Sequence, residues 1–191
     1  VLHKNSQKRI YSSDAIYFVT CKTKNNFPFF REDFFCELWI EELGFCKKIK
    51  EFDLFGFCLL PDHFHMVFRP RGNENLSRVM QFLKRHFSRN ANQISGHSAE
   101  GDISQCRLRD EFKNLSEIIS RHGEKVQIFK ERIKNSLPKF QWQKSFHDHI
   151  IRGDRDFENC LQYTVENFLK HGLPGNWRYT SLNYPKLIDA F

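Results

Sequence analysis

None of the six cysteines, at positions 21, 36, 46, 58, 106 and 160, forms a C-x-x-C pair, which removes the common zinc and dithiol signatures. Most sit inside apolar runs and read as small core residues, a usage that fits a reducing cytosol. Also missing is any apolar stretch near the ~20 residues of a membrane-spanning helix. The opening Val1-Leu2-His3-Lys4 is too polar for a signal peptide. Acidic residues are in the minority, 23 against 30 Lys and Arg for a net charge of +7, which suggests a polyanionic partner, nucleic acid or an anionic surface. Phe is plentiful, 21 in 191 residues, enough for a sizeable core in one domain or in one domain with an insertion.

Periodicity sets out the elements. Residues 15–20 (AIYFVT) read as a strand. From about 31 to 50 the recurrence of Phe35, Trp39, Leu43 and Cys46 predicts a helix. Residues 52–60 (FDLFGFCLL) form a strand too apolar for a solvated face, and Pro61-Asp62 turns it into a third strand over 63–69. An amphipathic helix follows at about 76–89, with Leu76, Val79, Met80, Leu83 and Phe87 on one face and Arg78, Arg85 and Arg89 on the other. Those arginines suit either a solvated face or DNA-backbone contacts. Residues 91–138 differ in character: a turn-rich loop, then a heptad-like seam of Leu108, Phe112, Leu115, Ile119, His122, Val126, Phe129 and Ile133. The seam has two candidate partners, its own domain or a second copy of the chain, and the first is the simpler. Residues 140–151 (FQWQKSFHDHII) read as a fourth strand, and 154–170 as a last helix with a stripe of Phe157, Leu161, Val165 and Phe168, capped at Gly172. The order predicts an α+β fold: a ferredoxin-like antiparallel sheet with helices packed on one face, plus a helical insertion at about 91–138 within a single domain, 1–191.

Three constellations can carry chemistry. His63 and His65 flank Phe64 on a strand, so their imidazoles share a face about 7 Å apart at the backbone and suit one metal ion; by itself an H-x-H is common by chance and reads more readily as a structural pair. Tyr163 and Asn167 stand four apart on the last helix and are neighbours, both away from its apolar stripe. His147 and His149 also share a strand face, around Asp148, and are read as hydrogen-bonded sheet residues in preference to a metal pair. Trp177 and Tyr179 in the aromatic tail are read as capping the core, with base stacking as the alternative.

In this order and spacing, the segments IYFVTCKTKNNFPFF, LPDHFHMVF, Leu83-Lys84-Arg85-His86-Phe87, FQWQKSFHDHIIR, YTVENFLKHGL and WRYTS resemble the HUH-type tyrosine transposases (IS200-like family), most closely those associated with repetitive extragenic palindromes. The resemblance runs along nearly the whole chain outside 91–138. It implies His63, His65 and Asn167 as ligands of a divalent metal, Mg²⁺ or Mn²⁺, and Tyr163 as the nucleophile. Phe168 follows Asn167 where the family usually has Pro; it lets the helix run on. The implied activity is a DNA transposase and endonuclease cutting and rejoining single-stranded DNA beside hairpins through a 5′-phosphotyrosine link. A phenol ordinarily ionises only near pH 10, so the nucleophile needs activation. Arg78, Lys84, Arg85 and Arg89 are the candidate phosphate contacts. The expected partner is single-stranded or hairpin DNA, with no membrane, in the cytoplasm on the nucleoid, and with a homodimer or a monomer both open. The alternatives are a domesticated, non-catalytic hairpin-binding protein, a relaxase of the same chemistry, and a water-using nuclease.

Overall fold

The computed structural model describes residues 11–12, 14–97, 123–133 and 137–191. Four strands, β1 (Tyr17–Lys22), β2 (Phe52–Leu60), β3 (His63–Pro70) and β4 (His147–Ile150), form one antiparallel sheet in the order β2-β3-β1-β4. The helices are α1 (Asp33–Lys50), α2 (Leu76–Ile94), α3 (Gly123–Ile133) and α4 (Asp154–Lys170). With α3 set aside as part of the insertion, strand, helix, strand, strand, helix, strand, helix is the α+β, ferredoxin-like order the sequence predicts.

The helices do not share one face, which corrects that expectation. On one side, Val19, Cys21, Phe64, Met66, Phe68 and Leu59 meet Trp39 and Leu43 of α1 and Leu76, Val79, Leu83 and Phe87 of α2. On the other side, Phe55 and Val67 meet Phe157, with Phe18 and Leu161 at the margin, and Cys58 and Leu60 meet Phe168. The cause lies in β2 and β3, which are buried on both faces along nearly their whole length. Apolar strands of that kind need cover above and below, and α4 supplies the second layer.

A bulge fits β2 to α4. Leu54 pairs with Phe68 and Gly56 with Val67, so Phe55 is the extra residue, and both Phe55 and Gly56 turn toward α4. A Cβ on Gly56 would stand 2.6 Å from Leu161 Cδ1 and 3.5 Å from Val165 Cγ1. The helix thus rests almost on the backbone of the sheet.

The fourth strand is shorter than the predicted 140–151: only His147–Ile150 is regular. The Asn92 side chain engages the Phe140 backbone at both ends, accepting from its N–H at 2.7 Å and donating to its carbonyl at 3.0 Å. Phe140 packs between Phe29 and Phe87 at 4.6 and 4.8 Å, and only Trp142 bridges to Thr23. Side chains of α2 replace the strand ladder here. The same helix runs on to Ile94, past its predicted end at about 89 and into the predicted loop, so Asn92 is helical and buried.

Of the seam, Leu108 to His122 lie outside the described residues; Phe129 on α3 stacks on Phe34 at 5.0 Å, so this part packs on its own domain. The tail lies along β2, where Leu59 N–H donates to the Tyr179 carbonyl at 2.9 Å and Thr180 bridges to Cys58. Tyr179 is buried and the Trp177 indole donates to the Leu59 carbonyl at 2.8 Å, so both cap the core as expected. The five described cysteines are free, four of them buried. No helix among the described residues is long and apolar enough to cross a membrane.

Gly56→Val is expected to cost about 1–3 kcal/mol by overpacking and to lift α4, whereas Gly56→Ala needs only the tip of Leu161 to turn. Urea denaturation of the two variants beside wild type measures the difference; equal stability of all three would show that α4 has slack over β2.

Candidate active site

The site forms where β3 passes under the second half of α4. Phe64 points into the large core against Trp39, 4.9 Å between centroids, and its two neighbours are thereby turned to the α4 face. The His63 and His65 rings lie 5.0 Å apart, nearly perpendicular. The hairpin that starts β3 is anchored from outside: Thr23 N–H donates to the Asp62 carbonyl at 2.8 Å and Phe30 N–H to that of Pro61 at 2.9 Å. That fixes Asp62, whose carboxylate accepts from His63 Nδ1 at 2.6 Å. His65 Nδ1 lies 2.8 Å from Thr20 Oγ1, the residue opposite it on β1. Each imidazole is therefore oriented through Nδ1, with Nε2 left to face the site, the arrangement in which metal-binding histidines are held by a second polar group.

Asn167 enters from α4. It is fully buried, which corrects the expectation that it lies away from the packed side of the helix. The buried face of α4 is wider than the apolar stripe and takes in Thr164 and Asn167 as well as Phe157 and Phe168. Thr164 meets its own need by donating to the Cys160 carbonyl at 2.7 Å. Asn167 has no such outlet: its Oδ1 and Nδ2, like His65 Nε2, are buried without a hydrogen-bond partner among the described residues. Asn167 nonetheless lies close enough to His65 to favour the protonated ring, against the burial and neighbouring charges that oppose it. Each orphaned buried polar atom costs about 1–3 kcal/mol, and three around one point mark a place built for something else. The donors are two imidazole nitrogens and one amide oxygen, neutral and of intermediate hardness, a set that fits a divalent cation.

Burial holds both histidines neutral. It pushes His65 down to about 3, helped by the charges of His63 and His171, and lowers His63 too, where the Asp62 hydrogen bond and charge pull the other way. Neutral imidazole is the form that binds metal.

Tyr163, one turn before Asn167, is 40 % exposed. Its ring stands 5.4 Å from His65 and 5.8 Å from Phe18, edge-on to each, and Phe18 stacks on His65 at 5.4 Å. Lys170 Nζ lies 4.3 Å from the Tyr163 ring centre. The structure thus brings His63, His65, Tyr163 and Asn167 together. It adds groups that sequence reading missed: Thr20, Asp62, Phe18, Lys170, Lys22, and His171, whose ring is 5.1 Å from that of His63. His171 follows Asn167 by four, as Asn167 follows Tyr163, so helical spacing was a usable signal. Thr20 had none, because only strand register reveals it.

The four basic candidates separate. Lys84 and Arg85 line a groove of about 990 Å³ between α2 and residues 139–146, together with Lys24, Lys139 and Lys144, and among the described residues no acidic one lines it. Trp142 and Phe146 supply aromatic surface there. Lys84 also donates to the Gln143 carbonyl at 3.0 Å, bracing the two walls. Arg78 is exposed and donates to the Asn73 carbonyl at 3.0 Å, and neither it nor Arg89 lines the groove. His149, read as a sheet residue, is exposed and paired with Asp156 of α4 at 2.9 Å.

A histidine pair flanking an apolar residue on a central strand is thus faced by a tyrosine and an amide from one helix. Residues 12–105 are similar to the family model described as "Transposase IS200 like". The chain is 24 % identical over 183 residues to a Haemophilus influenzae protein named "Putative REP-associated tyrosine transposase", covering 94 % of this chain and 86 % of that one. Its fold is similar to a solved structure described as a REP-associated tyrosine transposase bound to a REP hairpin, with a TM-score of 0.63 and 15 % identity over 97 % of this chain and 89 % of that one.

His65 gives the fold a pH dependence. Below pH 6.5 the unfolded chain protonates this ring while the folded chain resists until about 3, so His65 subtracts stability as pH falls through that window. Metal-free wild type is expected to lose more stability between pH 7 and pH 5 than His65→Gln does, by urea denaturation at both pH values; parallel losses would mean that the ring is not buried as described.

Proposed function

We propose that this protein is a metal-dependent transposase and endonuclease that cuts and rejoins single-stranded DNA beside a hairpin through a 5′-phosphotyrosine link on Tyr163. The observation that carries the reading is the placement of an accessible tyrosine against a buried His65 whose free nitrogen, like the Asn167 amide, has no hydrogen-bond partner among the described residues.

His63, His65 and Asn167 would hold the divalent ion, Mg²⁺ or Mn²⁺. When bound it would supply Lewis-acid polarisation of the scissile phosphate. Thr20 and Asp62 hold the two rings through Nδ1, and with Nδ1 carrying the proton each Nε2 would be free to bind the ion. Tyr163 Oη forms the new bond to phosphorus as the bond to the 3′ oxygen breaks. The phenol proton passes to water, and the departing oxygen takes one up to become a 3′-hydroxyl. Lys170 puts positive charge beside the ring, where it offsets negative charge on the attacking oxygen. Attack by a 3′-hydroxyl on the phosphotyrosine reverses the step, so the phosphodiester bond energy is retained and no nucleotide triphosphate is consumed.

The groove beside α2 suits the nucleic acid. Five cations, with no acidic residue among the described lining, attract a phosphate backbone, and Trp142 and Phe146 offer faces for unpaired bases. The partner named for the similar solved structure, a REP hairpin, supports a hairpin as the DNA form. Arg78 and Arg89, also on α2, would add contacts outside the groove lining.

The test is incubation with 5′- and 3′-labelled hairpin oligonucleotides and Mn²⁺, followed by a denaturing protein gel. A shifted band carrying only the label 3′ of the cut, lost in Tyr163→Phe with hairpin binding retained, is the expected result. Cleavage by Tyr163→Phe would sink the assignment, cleavage without an adduct would make the protein a water-using nuclease, and binding with neither would make it a non-catalytic hairpin binder. Lys84→Gln and Arg85→Gln are each expected to weaken hairpin binding across sequences and to lower the slope of log affinity against log salt by about one. An unchanged slope would place the DNA elsewhere.

A further inference from the structure

The first turns of α4 hold a second set of metal-binding atoms that the proposed reaction does not use. His149 on β4 directs Nε2 at the Asp156 carboxylate, 2.9 and 3.1 Å from its two oxygens. Cys160, one turn further along α4, points Sγ at the same carboxylate from 3.7 Å. One donor atom from each residue can be chosen so that all three lie within 4.8 Å of one another, the one such grouping of three or more His, Cys, Asp or Glu among the described residues. A tetrahedral zinc ion with bonds of about 2.0–2.3 Å sets its donors about 3.3–3.7 Å apart, so the contacts to Asp156 need shift only by tenths of an ångström and the widest pair, within 4.8 Å, by about one ångström at most.

A simple ion pair accounts for His149 and Asp156 but not for the thiol. Cys160 is the described cysteine that is not sealed in the core, and its sulfur faces a carboxylate and a partly exposed imidazole. Without metal the thiol keeps its proton, because burial and the Asp156 charge push it up to about 11. A bound thiophilic cation expels that proton and turns the repulsion between sulfur and carboxylate into shared ligation. The backbone helps to fix the carboxylate: Arg152 N–H donates to Asp156 Oδ2 at 2.7 Å. His149 is half exposed, which leaves room for water as a fourth ligand.

We propose that His149, Asp156 and Cys160 form a second metal site, for a zinc-class ion that prefers thiolate and imidazole donors, separate from the histidine pair on β3. Phe18 pairs with His149 while its neighbour in the alternating row, Thr20, pairs with His65. From strand spacing and rise, His149 and His65 are about 12 Å apart at the backbone. Cys160 precedes Tyr163 by one turn, so an ion here would fasten the start of the tyrosine-bearing helix to the edge strand β4. Occupancy would then fix the register of Tyr163 over Phe18 and His65 without touching the DNA.

Cobalt(II) reports thiolate ligation directly. Metal-stripped full-length protein is titrated with Co²⁺ while the near-ultraviolet and visible spectrum is recorded, for wild type, Cys160→Ser, His149→Ala and the double variant His63→Ala/His65→Ala. The expected result is a thiolate-to-cobalt charge-transfer band in wild type and in the double variant, absent from Cys160→Ser. In His149→Ala it would appear only at Co²⁺ concentrations on the order of tenfold higher or more, since even outer-shell changes cost that much. Circular dichroism of Cys160→Ser, an almost isosteric change, confirms that the fold is retained. No charge-transfer band in wild type, or the same band in Cys160→Ser, would overturn the site, and neither result bears on whether Tyr163 attacks DNA.

Discussion

A helix can approach a sheet only as closely as the side chains between them allow, and at the centre of β2 that side chain is a hydrogen atom. Gly56, turned toward α4 by the bulge at Phe55, lets Leu161 and Val165 come down almost onto the backbone. The depth of α4 there sets the depth of everything further along it. Asn167, roughly two turns on, is carried into the interior beside His65, while Tyr163, on the flank, keeps 40 % of its surface. A shallower helix would leave Asn167 in water, where an amide has no reason to favour a cation over solvent. The close contact at Gly56 and the orphaned polar atoms at Asn167 are thus two ends of one packing arrangement.

Much of this was legible in the residues. β2 and α4 fall where their apolar patterns put them, at Phe52–Leu60 and Asp154–Lys170, because a continuous apolar run and a cleanly capped amphipathic stretch are strong local signals. The alternation of His63, Phe64 and His65 gave the facing of the imidazoles. The same reading of β2, as too apolar for a solvated face, already required a second covering layer, yet one-sided packing was inferred. What stayed hidden depends on contacts distant in sequence. Residues 140–146 have strand composition, but Asn92 takes the Phe140 backbone for itself. Asn167 looks solvent-facing on a helical wheel drawn from apolar residues alone, and only the neighbouring histidines make its burial sensible. Thr20 and Asp62 touch the rings through strand register and a hairpin anchored by Thr23 and Phe30.

The chain keeps recognition and chemistry on different supports. The basic groove is walled by α2 and by the irregular segment 139–146, with Lys84 and Trp142 crossing between them through the Gln143 and Lys84 carbonyls. The histidines and Tyr163 lie on the α4 face of the sheet. β1 joins the two: Thr20 holds His65, and three residues later Thr23 pairs with Trp142. A substrate seated in the groove would therefore act on a strand continuous with the one that orients a ring of the site, which is a short mechanical path between the two.

The tail that lies along β2 carries a consequence of its own. Thr180 bridges to Cys58 on the open side of the sheet and also donates to the Val165 carbonyl of α4 at 3.1 Å, so one residue ties the outermost long strand to the helix above it. Stripped of this strap, β2 would present a nine-residue apolar edge with unanswered amides, the kind of template on which another chain adds a strand. Shortening the protein from its C-terminal side should therefore show first as self-association during expression, before any loss of the residues that do chemistry is felt.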